Sequence, residues 1–326
     1  MKLAVFNHRE DEAEFFTKFC EQYKVEPVYI LEAPSVESIK KAQGCECASV
    51  ITTKIGKDEL TAFYEAGVRF LSTRTIGFDH IDLNSAKELS MGVGNVTYSP
   101  NSVAEYALML ILMANRRMKT IMTRSMGQDY SLTNVRGCEL RNQTVGVMGT
   151  GQIGRKVIQN LSGFGCKILA YDKYPNDEAG QYAEYVDLET LYRESDVITL
   201  HVPGNEENHH MIGEEQLAMM KDGVTLINTA RGTLIDTEAL IKAVECGKVG
   251  ALALDVVENE TGIYYKDFKY QPIRHRQMAI LNSFPNVIMS PHMAFYTDMA
   301  VSDMVENSIL SCLKYVNNEE NPWKVL

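Results

Sequence analysis

"TVGVMGTGQIGRKVIQNL", residues 144–161, changes character in its middle. A β-rich run to Met148 gives way to Gly149-Thr150-Gly151-Gln152-Ile153-Gly154, and a helical pattern opens from there. GxGxxG alone is a weak signal; between a strand and a helix it has a mechanical meaning. Gly149 permits the tight turn, Gly151 lets a pyrophosphate approach the backbone, and Gly154 lets helix and strand pack closely. Phosphates would sit on the free N–H groups of the helix N-terminus. The stretch therefore predicts a parallel α/β unit that holds a dinucleotide.

The next run, Lys167–Tyr171, ends in Asp172, 18 residues past Gly154. An acid there can accept hydrogen bonds from the adenosine ribose hydroxyls, and its charge repels a 2′-phosphate. NAD is thus expected over NADP, with Lys173 the one residue that softens this repulsion. The strand Val197–Leu200 then runs into His201, Val202 and Pro203, at a strand C-terminus where open α/β sheets present ligand contacts. His209 and His210, in a polar stretch, read as surface residues.

Outward from this centre the chain alternates strand-like and helix-like segments, the pattern of parallel α/β proteins. Early strands are expected at Lys2–Phe6, Val28–Ile30, Ala48–Thr52, Phe70–Thr73 and Gly94–Val96, with helices such as Asp11–Tyr23 and Lys57–Ala66. Later strands follow near Val145–Met148, Thr225–Asn228, Ala251–Asp255 and Val287–Met289, and Ala300–Val316 has amphipathic helical spacing. Between the halves, Pro100 interrupts the chain, and Asn101 or Ser102 can cap a helix that is apolar on nearly every face to Ala114. That helix reads equally as core or as a bridge between domains or subunits.

At 326 residues, two domains are the default. A formal charge of −11 argues against nucleic acid or an anionic membrane as the main partner. Seven scattered cysteines without a CxxC pair fit reduced thiols in the cytoplasm, and predict neither disulfides nor a metal. Cys45-Glu46-Cys47 reads as a solvated loop. The N-terminus turns charged too soon for a signal peptide, and the longest apolar run, Tyr106–Ala114, is far short of a membrane helix.

Three further segments carry candidate chemistry. "LINTARG" ends a strand with Thr229, Ala230 and Arg231, whose planar fork suits a carboxylate. "ALDVVENE" supplies Asp255, Glu258 and Glu260, and "VIMSPHMAF" supplies His292. Each is bland alone; together they lie at strand ends downstream of one dinucleotide fingerprint.

With these residues in order, the chain resembles the D-2-hydroxyacid dehydrogenase family: GTGQIG with Asp172, HVP at 201–203, TARG at 229–232, DVxExE at 255–260 and PHxAFYT at 291–297. The resemblance extends over nearly the whole chain, through "STRTIGFDHIDLNSAKEL" and "YSPNSVAEYALML". Its texture is nearest the D-lactate dehydrogenase branch, which includes the enzymes that supply D-lactate in vancomycin resistance. It implies two doubly wound parallel-sheet α/β domains with a cleft between them: a flavodoxin-like substrate domain (1–100 and 298–326) and a Rossmann NAD domain (101–297). His292 would be the general acid, Glu260 its hydrogen-bonded partner, and Arg231 the carboxylate ligand. Backbone N–H groups at Ile76 and Gly77 would also hold the carboxylate, Asp255 would face the nicotinamide, and Tyr98 and Phe295 would shape the substrate pocket. The helix after Pro100 would form much of a homodimer interface. The implied reaction is NADH-dependent reduction of a 2-oxo acid to the D-2-hydroxy acid, with pyruvate first and branched or aromatic 2-oxo acids as alternatives. An NAD-sensing regulatory protein on the same fold is the rival from another class. Asn259 stands where the family has glycine, and no aromatic residue occurs in Ser49–Lys54.

Overall fold

Two parallel sheets contain every strand of the computed structural model, which describes residues 1–326. The first has the order β2-β1-β3-β4-β5, from β1 (Lys2–Phe6), β2 (Glu26–Ile30), β3 (Cys47–Val50), β4 (Phe70–Thr73) and β5 (Gly92–Gly94). The second has the order β12-β11-β10-β9-β6-β7-β8. Its strands are β6 (Thr144–Met148), β7 (Lys167–Tyr171), β8 (Glu184–Tyr185), β9 (Val197–Leu200), β10 (Val224–Asn228), β11 (Val249–Leu254) and β12 (Val287–Met289). The sheets belong to separate compact units, Met1–Ser99 with Tyr296–Leu326, and Pro100–Phe295.

In the first unit β1 shows how one short run feeds two cores. Side chains alternate across a strand, so Leu3 and Val5 join Phe16, Phe19, Phe70, Val305, Ile309 and Cys312 on one face. Ala4 and Phe6 join Ile39, Val50, Leu60, Phe63 and Leu71 on the other. A strand covered on both faces reads as a continuous apolar run, as β3 and β4, buried throughout, also do. Cys45 and Cys47 are 2% and 0% exposed and belong to this interior, which corrects the solvated loop expected there. All seven cysteines are free thiols.

β5 begins two residues before the predicted position because the Phe70 ring occupies the space a side chain would need. A Cβ at Gly92 or Gly94 would lie 2.7 Å from that ring. Beyond Gly94, the N–H groups of Asn95 and Val96 leave the ladder for the carbonyls of Trp323 and Thr75. Arg74, just past β4, is fully buried. Its guanidinium donates to Glu12 (2.9 Å), Ser49 (3.0 Å) and the Phe6 carbonyl (2.9 Å), tying the ends of β1, β3 and β4 together.

In the second unit Pro100 is the first residue of the helix Pro100–Asn115, so Asn101 and Ser102 lie inside it and do not cap it. Proline fits there because the first helical N–H has no intrahelical partner to lose. One face of this helix (Ala104, Ala107, Leu110, Ile111, Ala114) packs with Val145, Val147, Val157, Ile158 and Leu161. Met109, on another face, is exposed. Strand order reverses between β6 and β9, and that switch point opens a crevice at the carboxyl ends of parallel strands. No helix is long and apolar enough to cross a membrane.

Candidate functional site

The glycine turn links β6 to the helix Gln152–Ser162 at the switch point. Gly149 has φ +93°, and a Cβ there would lie 2.6 Å from the His201 carbonyl oxygen. The loops after β6 and β9 thus touch through a missing side chain. Gly151 is the N-cap and supplies no side chain to the helix N–H groups, unlike Asp187 and Asp236, which cap their own helices. A Cβ at Gly151 would meet nothing within 4 Å, so the space over these donors is open. Thr229 Oγ1, on the loop after β10, is buried without a hydrogen-bond partner. Open helix donors, open space and an unsatisfied hydroxyl fit a dinucleotide.

Asp172 follows β7, its carboxylate held by the N–H and hydroxyl of Thr150 (2.6 and 3.1 Å) and by the N–H of Tyr174 (2.8 Å). Lys173 is paired with Glu207 at 2.8 Å, which offsets the positive charge that would otherwise soften repulsion of a 2′-phosphate. His201 bonds Thr199 through Nε2 (2.9 Å), and burial pushes its pKa down to about 3, so the ring beside the glycine turn is neutral at physiological pH.

The acid–base pair comes from the ends of β12 and β11. His292 Nδ1 lies 2.5 Å from Glu260 Oε1, and Glu260 Oε2 accepts the Val257 N–H at 2.7 Å. With Nδ1 given to the carboxylate, Nε2 is the nitrogen left to face a substrate. His292 sits at φ +54°, uncommon for a residue with a Cβ. Its N–H is held by the carbonyls of Asp255 (2.8 Å) and Ser290 (3.0 Å). Asp255, expected to face the nicotinamide, is fully buried. Its carboxylate takes the Ser290 hydroxyl (2.6 Å) and the N–H groups of Met293 (2.9 Å) and Ala294 (2.8 Å). It shapes the turn that carries His292. Asn259 has φ +58°, a region open to glycine and tolerated by asparagine, which explains how Asn replaces Gly between two glutamates.

Arg231 follows β10, the strand between β9 and β11. Asn228 sets its turn, donating to the Arg231 carbonyl (2.8 Å) and accepting from the Ala230 N–H (3.0 Å). Two glycines make room around it. A Cβ at Gly204 would lie 2.7 Å from Arg231 Cγ, and one at Gly232 would lie 2.2 Å from the Val257 carbonyl carbon. The chain bearing Glu260 therefore runs directly over the residue after Arg231. Arg231, Glu260 and His292 thus occupy the carboxyl ends of three adjacent strands.

Several contributors carry no motif. Tyr265 donates its hydroxyl to the His292 carbonyl (2.7 Å), with its ring 6.4 Å from the imidazole and 6.5 Å, edge-on, from Phe295. It has φ +65°, and a bulky residue in that region marks strain of the kind that collects at functional sites. An exposed aromatic five residues past Glu260 was the signal available. Gly204 and Asn228 gave none, since their roles exist only once the loops meet. His210 is not a plain surface residue, because its Nε2 lies 2.6 Å from Glu258 Oε1.

The other expected substrate contacts, Ile76, Gly77 and Tyr98, belong to the first unit. There Asn95 binds the Ile76 carbonyl (2.8 Å) and the Thr75 hydroxyl binds the Gly77 carbonyl (2.6 Å). In a trans peptide the following N–H points the opposite way, so the N–H groups of Gly77 and Phe78 are aimed away from these partners. His80 bonds Thr73 through its ring (3.1 Å), and its backbone carbonyl accepts the Ile55 N–H.

Residues 108–294 match the model of the D-isomer specific 2-hydroxyacid dehydrogenase NAD binding domain. A D-specific alpha-keto acid dehydrogenase of Enterococcus faecium is 43% identical over 320 residues, covering 98% of each chain. An aromatic 2-oxoacid reductase of Clostridium sporogenes is 41% identical over 320 residues, 97% of this chain and 96% of its own. The crystal structure of a D-lactate dehydrogenase from Treponema pallidum superposes with a TM-score of 0.89 at 34% identity, over all of both chains.

Proposed function

The chain belongs to the D-isomer-specific 2-hydroxyacid dehydrogenase family of NAD-dependent oxidoreductases, and we propose that it reduces 2-oxo acids with apolar side chains to the D-2-hydroxy acids. The observation that carries this reading is the His292–Glu260 pair, set on strand ends beside that of Arg231 and on the same sheet edge as the glycine turn.

When bound, NADH supplies the hydride that reaches C2. Arg231 would take the substrate carboxylate in its planar fork, fixing the carbonyl relative to the imidazole. His292 Nε2 would donate a proton to the carbonyl oxygen as it gains charge, so that hydride plus proton convert the ketone to the alcohol. Glu260, hydrogen-bonded to Nδ1, balances the imidazolium before transfer and holds the ring in place after it. Backbone N–H groups around Ile76 and Gly77 and the Tyr98 ring are the substrate contacts this reading assigns, and Asp172 with Gly149–Gly154 the cofactor contacts.

Pyruvate comes first from sequence alone. Tyr265 and Phe295 beside the general acid support a preference for larger side chains, since aromatic edges reward apolar area that a methyl group does not offer. The names of the enterococcal and clostridial relatives support it too. The helix Pro100–Asn115 is assigned a homodimer interface together with Met118–Met126, which buries none of its residues and exposes Met122 and Met126. Seven free thiols support a cytoplasmic setting.

The test is a panel of pyruvate, 2-oxoisocaproate, phenylpyruvate and 2-oxoglutarate with NADH and NADPH, with chiral analysis of product. The expected result is D product, NADH preferred, and higher kcat/KM for the branched and aromatic acids. A higher kcat/KM for pyruvate overturns the side-chain preference; L product or no turnover overturns the reaction.

A further inference from the structure

A second cluster of chemistry-bearing side chains lies outside this machinery. His209, His210 and Glu258 each offer a ligand atom, and these atoms all lie within 4.8 Å of one another. We propose that the three residues bind a divalent transition-metal ion of the zinc type, joining the loop after β9 to the loop after β11.

A His210–Glu258 hydrogen bond by itself would account for two of the residues. It does not account for His209, whose exposed ring stacks on that of His210 with centroids 4.0 Å apart. Consecutive side chains of an extended backbone diverge to opposite sides. Here His210 sits at φ +51°, its N–H anchored to the Thr233 carbonyl at 2.8 Å, and this left-handed turn sends both imidazoles the same way. Backbone strain that makes two histidines converge is an outlier pointing to use.

The third ligand is equally prepared. Glu258 Oε2 is held by the Thr237 N–H (3.1 Å) and hydroxyl (2.5 Å), which leaves Oε1 turned to the imidazoles. Burial opposes its ionisation, but the hydrogen bonds from His210 and Thr237 outweigh this and hold the carboxyl below its ordinary value. Partners of this kind orient ligands in protein metal sites. Two imidazoles and one carboxylate suit Zn²⁺, whose N and O ligands lie about 2.0–2.2 Å from the ion, with water completing the tetrahedron. The His210 and Glu258 side chains are 36% and 16% exposed, so the ion can reach them from solvent.

The experiment is a titration of the full chain with CoCl₂, read by visible d–d absorption, then displacement with ZnCl₂. It is done in a Cys138→Ser, Cys246→Ser background, because those thiols are exposed. One equivalent should bind saturably and be displaced by zinc, and zinc should raise Tm. His209→Ala should weaken binding by at least about tenfold, since loss of outer-shell partners alone costs about 10–100-fold. The same variant should leave kcat and KM unchanged in metal-free buffer, which shows that it is folded. Absence of saturable binding, or an identical cobalt spectrum and affinity in His209→Ala, overturns the proposal.

Discussion

Gly232→Ala tests how the site is assembled. The added Cβ would lie 2.2 Å from the Val257 carbonyl carbon and 2.4 Å from the Glu258 nitrogen. Favourable carbon contacts begin near 3.5 Å, so one of the two backbones must move by about 1 Å. Both obvious routes reach the chemistry. If the 257–258 backbone moves, it drags the Val257 N–H that holds Glu260, whose other oxygen holds His292. If residue 232 moves, Arg231 moves with it. A misplacement of about 1 Å costs on the order of 10²-fold in rate, or about 2.7 kcal/mol of barrier at 1.36 kcal/mol per decade. Overpacking adds about 1–3 kcal/mol of lost stability. Steady-state kcat at saturating NADH, NADH affinity by fluorescence titration and Tm separate these effects: kcat should fall about 100-fold while NADH affinity holds. Gly151→Ala is the contrast, with no atom within 4 Å of the new Cβ; it should leave Tm unchanged and raise KM for NADH. A Gly232→Ala enzyme with the parent's kcat would refute the argument that this crossing sets the geometry.

The other predictions concern single groups. His292→Ala should lower kcat by on the order of 10²–10⁴; turnover at the parent's rate would remove its role as proton donor. Tyr265→Phe loses the hydrogen bond to the His292 carbonyl but keeps the ring, so kcat should fall about 3–10-fold, the equivalent of one modest hydrogen bond. Tyr265→Ala should further reduce the phenylpyruvate-to-pyruvate ratio of kcat/KM, and an unchanged ratio would show that this ring does not contact the substrate. His201 titrates near 3 when folded against 6.5 unfolded. As pH falls through 6.5 the unfolded chain takes a proton that the native ring refuses, so stability present above that pH is lost, by about 2 kcal/mol at pH 5. Urea midpoints at pH 8 and pH 5 should therefore diverge less in His201→Gln; equal divergence, or an NMR titration near 6.5, would count against it. Arg74→Met leaves the buried Glu12 with only the more distant Arg9 guanidinium, at 3.5 Å, and should cost up to about 3–5 kcal/mol; a Tm equal to the parent's would mean that Arg9 alone compensates Glu12.

Much of the framework was readable because local pattern and tertiary role coincide. β7, β9 and β12 lie between the predicted residues, since buried parallel strands are short apolar runs with abrupt ends. The chemistry-bearing residues stand at those ends. What stayed hidden depends on contacts between segments far apart in sequence. Glu12 and Arg74 look like surface charges until the ends of β1, β3 and β4 converge on them. Asp255 carries a cofactor motif in sequence, while its bonds to the N–H groups of Met293 and Ala294, nearly forty residues on, are visible only in the fold. Gly204 and Gly232 are indistinguishable from turn glycines, because what they omit is an atom that another loop needs to pass. β5 was misplaced for a related reason: its limits depend on the Phe70 ring and the Trp323 carbonyl, not on its own residues.

The composition of the first unit also sets an order of events during synthesis. Leu3, Val5, Phe16, Phe19 and Phe70 share their cluster with Val305, Ile309 and Cys312 of the helix Asp298–Val316, and Gly94 pairs with Lys324. Between these partners lies Pro100–Phe295, which has its own sheet and cores. At about 5–20 residues per second, translation of that insert takes on the order of 10–40 s. Throughout that interval the sheet made first has one apolar face only partly covered, by Phe16 and Phe19, with the places of Val305, Ile309 and Cys312 unfilled. The nascent chain should therefore be a chaperone client until its last helix emerges, and a fragment ending at Ser99 should aggregate unless a peptide of residues 296–326 is supplied.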